Sequence, residues 1–252
     1  MLKTIRIGSI FYLCLMCSIG FAQEEKSEAE PLQKKNVVKL NVTALAFRNI
    51  SLQYERQIGK RTSIAAQVRT IPYGKLPFQS TFENIEDNGD VPFDQFKFGS
   101  FGVTPELRFY LGKKGALHGF YIGPFINYSN YKMDLPISYT SGTTEKTGVF
   151  NGKLNTITGG IQFGSQFSLG KKIVLDWWIF GPNYGTADGT LNFAAALTQL
   201  EQDDLRRELE DVKNEAPFET IKSYNVDNNG ASVEVKGPWG GMRGGFLLGF
   251  RF

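Results

Sequence analysis

Trp239-Gly240-Gly241-Met242-Arg243-Gly244-Gly245-Phe246-Leu247-Leu248-Gly249-Phe250-Arg251-Phe252 is the stretch whose reading decides the fold. Met242, Phe246, Leu248, Phe250 and Phe252 share one parity, while Arg243, Gly245, Gly249 and Arg251 share the other. Successive side chains of a strand point to opposite faces, so this is a strand with one apolar and one charged face. The alternation recurs upstream. Ile173, Leu175, Trp177 and Ile179 oppose Asp176; Phe101, Val103, Leu107 and Phe109 oppose Thr104, Glu106 and Arg108; Ile50, Leu52 and Tyr54 oppose Gln53 and Glu55. Strands are predicted over 37–47, 49–58, 62–70, 99–111, 119–132, 153–169, 173–181 and 239–252.

Parity does not say which face is outward, but the connections do. Gly59-Lys60-Arg61, Gly112-Lys113-Lys114 and Gly170-Lys171-Lys172 mark compact turns, and the connections 71–98, 133–152 and 182–238 are long. Short turns at one rim and long loops at the other belong to outer-membrane barrels, with the short turns periplasmic. The tight connection near Arg48, on the long side, is the exception. The expected fold is therefore all-β: an eight-stranded antiparallel up-and-down transmembrane β-barrel, apolar outside and charged within. A soluble barrel would reverse the faces.

The long 182–238 connection carries two further signals. Ala194, Leu197, Leu205, Leu209 and Val212 fall on one side of a helical wheel, which predicts an amphipathic helix over Asn192 to Glu215 with Asn192 as its cap. It either packs on the barrel mouth or docks a partner. Ser223 to Val226 and Ser232 to Val235 flank Asp227-Asn228-Asn229-Gly230, a type I′ turn signal, and predict a hairpin above the rim. Ten spanning strands is the alternative count.

At the other end, Lys3 and Arg6 precede an apolar run, Ile10 to Ile19, and Gly20-Phe21-Ala22 places small residues before Gln23. This predicts a cleaved signal peptide over 1–22, since the run falls short of the about 20 residues a spanning helix needs. Polar residues 23–36 then read as a flexible periplasmic leader, ahead of the barrel over 37–252. Cys14 and Cys17 both lie in the signal, so the mature chain is expected to have neither disulfide nor thiolate metal site. Without Lys3 and Arg6, 26 of the 28 basic residues remain against 25 acidic ones, which argues against nucleic acid as a partner. With a mean hydropathy of −0.23, the chain offers no further run long enough for a helical span.

Val38-Lys39-Leu40-Asn41, Ser51-Leu52-Gln53-Tyr54-Glu55-Arg56 and Asp176-Trp177-Trp178-Ile179-Phe180-Gly181-Pro182-Asn183-Tyr184-Gly185 carry a resemblance. Over 36–252 the chain resembles the small outer-membrane barrels of Bacteroidota-type bacteria that are described as a domain of unknown function. The resemblance implies a barrel in the outer membrane, and brings no activity and no catalytic residues. Phe246, Leu248, Phe250 and Phe252 also resemble the C-terminal signal read by the barrel-assembly machinery.

Candidate chemistry is sparse. His118, the lone histidine, falls in a turn, where the sequence supplies no nucleophile or third group for a triad. Glu83, Glu86, Asp87, Asp90 and Asp94 lack calcium-loop spacing and read as a solvated acidic loop. Tyr121, Tyr128, Tyr131, Trp177, Trp178 and Trp239 are candidates for interfacial belts. The inward charges Lys39, Glu55, Arg69, Glu106, Arg108, Asp176, Arg243 and Arg251 are expected to pair and plug a narrow lumen. Glu106 with Asp176 is the carboxylate pair in which acid–base chemistry would be sought. The expectation is a non-enzymatic barrel without cofactor or metal. Its partners would be outer-membrane lipids, the assembly machinery and an extracellular protein or glycan. The rivals are a barrel enzyme acting on lipid or protein, and a soluble lipocalin-like carrier.

Overall fold

The computed structural model describes residues 34–75, 95–141, 144–215 and 220–252. The expected signal peptide, most of the leader and the acidic residues Glu83 to Asp94 lie outside them. The order is β1 (Asn36–Asn41), α1 (Val42–Leu45), β2 (Ile50–Gln57), β3 (Thr62–Lys75), β4 (Lys97–Tyr110), β5 (Gly119–Ser141), β6 (Thr144–Leu169), β7 (Ile173–Ala194), α2 (Gln199–Glu215), β8 (Ile221–Asp227) and β9 (Gly230–Arg251). Every pairing is antiparallel. Strands β1 to β7 follow one another, β7 pairs with β9, and β9 returns to β1 from Val37↔Arg251 to Asn41↔Leu247. A sheet closed in this way has no free edge along the β1–β9 seam.

The sheet has nine strands rather than eight, because β8 adds to the outer flank of β9 and pairs with no other described strand. The hairpin expected above the rim is present, but its second arm is continuous with the last strand: β9 starts at Gly230, not near Trp239. Its turn is not type I′. Asn228 and Asn229 keep negative φ, Asp227 accepts from Asn229 N at 2.7 Å, and Gly230 takes the positive φ of 135°. Strands β5, β6 and β7 are likewise longer than predicted, so the 133–152 connection is mostly a β-hairpin. The first strand is shorter. Asn41 ends it by capping α1, its Oδ1 accepting from Ala44 N at 3.0 Å, and Arg48 closes the tight connection with φ 56°.

Outward-facing side chains are apolar in a belt. Ile50, Leu52 and Tyr54 on β2, Ile64 and Val68 on β3, Ile157, Ile161 and Phe167 on β6, and Met242 to Phe252 at alternate positions on β9 are exposed. On β5 the outward apolar residues run from Phe120 to Tyr128. That is about 30 Å of strand, which at a tilt of about 40° rises about 23 Å. Beyond it the outer face turns polar, at Thr186, Asp188 and Lys236. Pro105 and Pro124 interrupt the β4–β5 ladder, where Glu106↔Phe125 is the one pair between Val103 and Phe109. Lacking an N–H, each removes a ladder donor where it stands.

Candidate functional site

The inward face of the ring collects the charges in layers. At the centre, Lys39 Nζ donates to Asp176 Oδ2 at 2.5 Å, to Gln166 Oε1 at 2.7 Å and to Glu55. Arg108 is the hub. Its Nε reaches Glu106 at 2.7 Å, Nη1 reaches Asp176 at 2.6 Å and Glu55 at 3.1 Å, and Nη2 reaches Gln53 at 3.0 Å. Lys39, Glu55, Arg108 and Asp176 are wholly buried. Their oxygens are saturated by Tyr110 to Glu55 at 2.6 Å, Tyr121 to Asp176 at 2.8 Å, and Ser63 to Glu55. Arg243 joins through Glu106 at 3.3 Å and Gln67 at 3.0 Å, and lies over the rings of Phe125 and Trp178, 4.3 Å from each. Three cations thus face three carboxylates, which is the condition for holding such charges away from water.

The predicted inward set is therefore brought together in part. Lys39, Glu55, Glu106, Arg108, Asp176 and Arg243 form one network; Arg69 and Arg251 stand apart. Arg69 sits toward the long-connection end and donates to Ser129 Oγ at 2.7 Å and Tyr131 Oη at 2.9 Å. Gly102 leaves it room, since a Cβ there would lie 2.9 Å from its Nε. Arg251, at the short-turn end, donates to the Leu117 carbonyl at 2.5 Å. The carboxylates Glu106 and Asp176 do not meet: the Arg108 guanidinium lies between them and binds both. Held this way, both accept hydrogen bonds from the one guanidinium.

Amphipathic ring chemistry misled for the aromatics, and it is parity that sorts them. Tyr121 and Trp178 are buried inside, and Tyr131 and Trp239 line the interior, so four of the six expected belt residues belong to the lumen. Only Tyr128 and Trp177 face out, Trp177 stacking on Phe246 at 5.8 Å between centroids. Neighbours such as Trp177 and Trp178 must point to opposite faces, so they could not share a belt. Gly164 admits Tyr121, whose hydroxyl would lie 2.4 Å from a Cβ at that position. Gln53, read on the polar parity beside Glu55, joins the network through Arg108, and Gln166, which the sequence reading did not single out, joins it through Lys39.

The short-turn end is closed by a residue with no sequence signal. Leu117, with φ 65°, turns inward from the β4–β5 turn and is buried against Val37 and Val174. Its carbonyl accepts from Gln166 at 3.1 Å. Next to it, His118 Nδ1 lies 3.5 Å from Ser168 Oγ, a neighbour the sequence reading did not supply. Burial lowers the imidazole's pKa, and Lys114 and Arg251 lower it further. Two cations beside the ring oppose the imidazolium that a base relay must form. Among the described residues no group of His, Cys, Asp and Glu could hold a metal ion.

Toward the long-connection end the interior opens into a cavity of about 440 Å³. Arg243, Trp178 and Gln67 are among its lining residues, with Arg69, Asn127, Asn183, Tyr131 and Trp239, and among the described residues no carboxylate lines it. Beyond it on the same side, α2 packs on the β8–β9 hairpin through Leu205 and Leu209 against Val226, Tyr224 and Ala231. Arg206 donates to the Val226 carbonyl at 2.7 Å, and Lys146 on β6 binds Glu201 at 2.9 Å. The helix starts later than predicted: Asn192 belongs to β7, and Thr198 and Glu201 close the end reciprocally, at 2.7 Å and 3.4 Å. Val212, placed on its packed face by the wheel, is exposed.

A closed antiparallel sheet with a charged, filled interior defines the class. The chain belongs to the DUF3575 family of proteins of unknown function, whose model matches residues 10–185. No curated protein and no solved structure matches the chain. The match stops at Gly185, short of the 36–252 extent of the resemblance, so α2, β8 and the closing β9 lie beyond it.

Proposed function

We propose that the protein is a non-enzymatic β-barrel of the bacterial outer membrane, exported by a cleaved signal over residues 1–22. Its role is structural or surface-binding, carried by the long-connection end outside the cell, and its lumen is plugged by ion pairs. One observation carries the reading: apolar side chains cover the outside of the closed sheet while the buried charges fill its inside. Water outside would favour the reverse, and lipid favours this arrangement. The lipocalin-like reading needs an apolar interior, and this interior is ionic. Membrane lipids meet the apolar belt, and Phe246, Leu248, Phe250 and Phe252 form the strand offered to the assembly machinery.

Fractionation of cells expressing the chain tests this. The protein is expected in the outer membrane, extractable only with detergent, beginning at Gln23, and without steady conductance in planar bilayers. Recovery as a soluble periplasmic protein would overturn the reading, and porin-like conductance would overturn the plug.

A further inference from the structure

We infer that the cavity above Arg243 is a binding site for a small hydroxylated carboxylate, of the size and chemistry of a uronic acid. The cavity's polar groups are unequally matched. Arg69 has no carboxylate partner among the described residues; its acceptors are the neutral hydroxyls of Ser129 and Tyr131. Arg243 Nη1 and Trp178 Nε1, on two other lining residues, are buried donors with no acceptor among the described residues. Buried donors are nearly always satisfied, and each unsatisfied one is costly. The Arg69 guanidinium, which meets no carboxylate among the described residues, together with the unmatched Nη1 of the Glu106-paired Arg243 and the indole N–H of Trp178, calls for an anion, and a planar guanidinium matches a carboxylate with two parallel bonds.

The remaining lining narrows the class. Asn49 Oδ1, also of the lining, is a buried acceptor with no donor among the described residues, which an anion cannot satisfy and a hydroxyl can. Asn127, Asn183 and Thr104 add further partners for hydroxyls. Tyr131 and Trp239, with centroids 5.7 Å apart, give an aromatic wall for the C–H face of a ring. The volume of about 440 Å³ falls in the range of small-molecule sites. The inference stands on the inside of the ring and is independent of what surrounds the outside.

Trp178 and Trp239 line the cavity, so intrinsic fluorescence of the purified full chain reports occupancy. Titration with galacturonate is expected to give a saturable change, with galactose and inorganic phosphate each about tenfold weaker or more. Arg69→Gln, a change among neutral partners, is expected to weaken galacturonate about tenfold while circular dichroism stays that of the wild type. Arg243→Gln should do the same; if it fails to fold, Arg69→Gln decides alone. No response to galacturonate, an equal response to galactose or to phosphate, or unaltered affinity in folded Arg69→Gln would overturn the inference.

Discussion

Arg108 is the residue on which the interior depends. It binds Glu55, Glu106 and Asp176 at once and lies 4.2 Å from the Tyr121 ring centre. Arg108→Met would leave three buried carboxylates facing Lys39 and Arg243 alone. Removing one partner of such a pair costs about 3–5 kcal/mol, and the expected outcome is a correspondingly lower urea midpoint in lipid vesicles. His118 is a gentler case, at the rim. Its folded pKa lies below the ordinary value, for burial first and then Lys114 and Arg251. The unfolded chain then binds the proton more readily, so this contribution is full above about pH 6.5 and is lost as pH falls through the folded value. NMR titration should place the His118 midpoint below that of a free histidine, and His118→Gln should flatten the acid side of the stability profile.

At the scale of elements, the last connection is a small assembly of its own. Thr198 and Glu201 form a capping box, with Thr198 N donating to Glu201 Oε2 and Glu201 N donating to Thr198 Oγ1. Thr198→Ala should cost the helix about 1 kcal/mol. Because α2 contacts the hairpin more than the ring, the expected readout is faster amide exchange over 199–215 with the global unfolding midpoint unchanged. A shifted global midpoint would mean that the helix supports the ring itself. The capping spacing was legible in the sequence as Thr-x-x-Glu, yet Asn192 was the more familiar cap ahead of an apolar stripe. What displaced it was strand pairing: Asn192 lies opposite Ser232 on β9 and accepts from its hydroxyl at 2.7 Å.

For the whole molecule, the face assignment governs everything else. Phe246 points out and Arg243 points in, three residues apart on one strand. Phe246→Arg places a charge on the outer belt and should cost about 2–4 kcal/mol in a bilayer. Arg243→Leu leaves Glu106 with one cation fewer, and also destabilises. Bilayer thickness separates them, because only an outward arginine is relieved by thinning and snorkelling. In thin-bilayer vesicles the penalty for Phe246→Arg should shrink and that for Arg243→Leu stay constant. The opposite pattern would mean that the molecule does not sit in lipid with this face outward.

The sequence by itself determined the strand class: its alternation separated the two faces of β2, β4 and β9, and its connection lengths turned the face of Lys39, Glu55, Arg108 and Asp176 inward. It did so because an apolar belt outside and charge inside leave a period of two wherever the two faces meet different surroundings. Where that difference ends, the signal ends. Past Tyr184, β7 sets Thr186, Asp188 and Thr190 on the outer face against Gly185, Ala187 and Gly189 on the inner, so the apolar-out, polar-in contrast is gone and its continuation to Ala194 was invisible. Tertiary structure alone decided which charges meet. Lys39 and Asp176 are 137 positions apart and come within 2.5 Å only when β9 returns to β1 and closes the sheet. Closure likewise set Arg69 against the hydroxyls of Ser129 and Tyr131 and drew Leu117 into the short-turn end, since neither outcome is written in any one strand's periodicity.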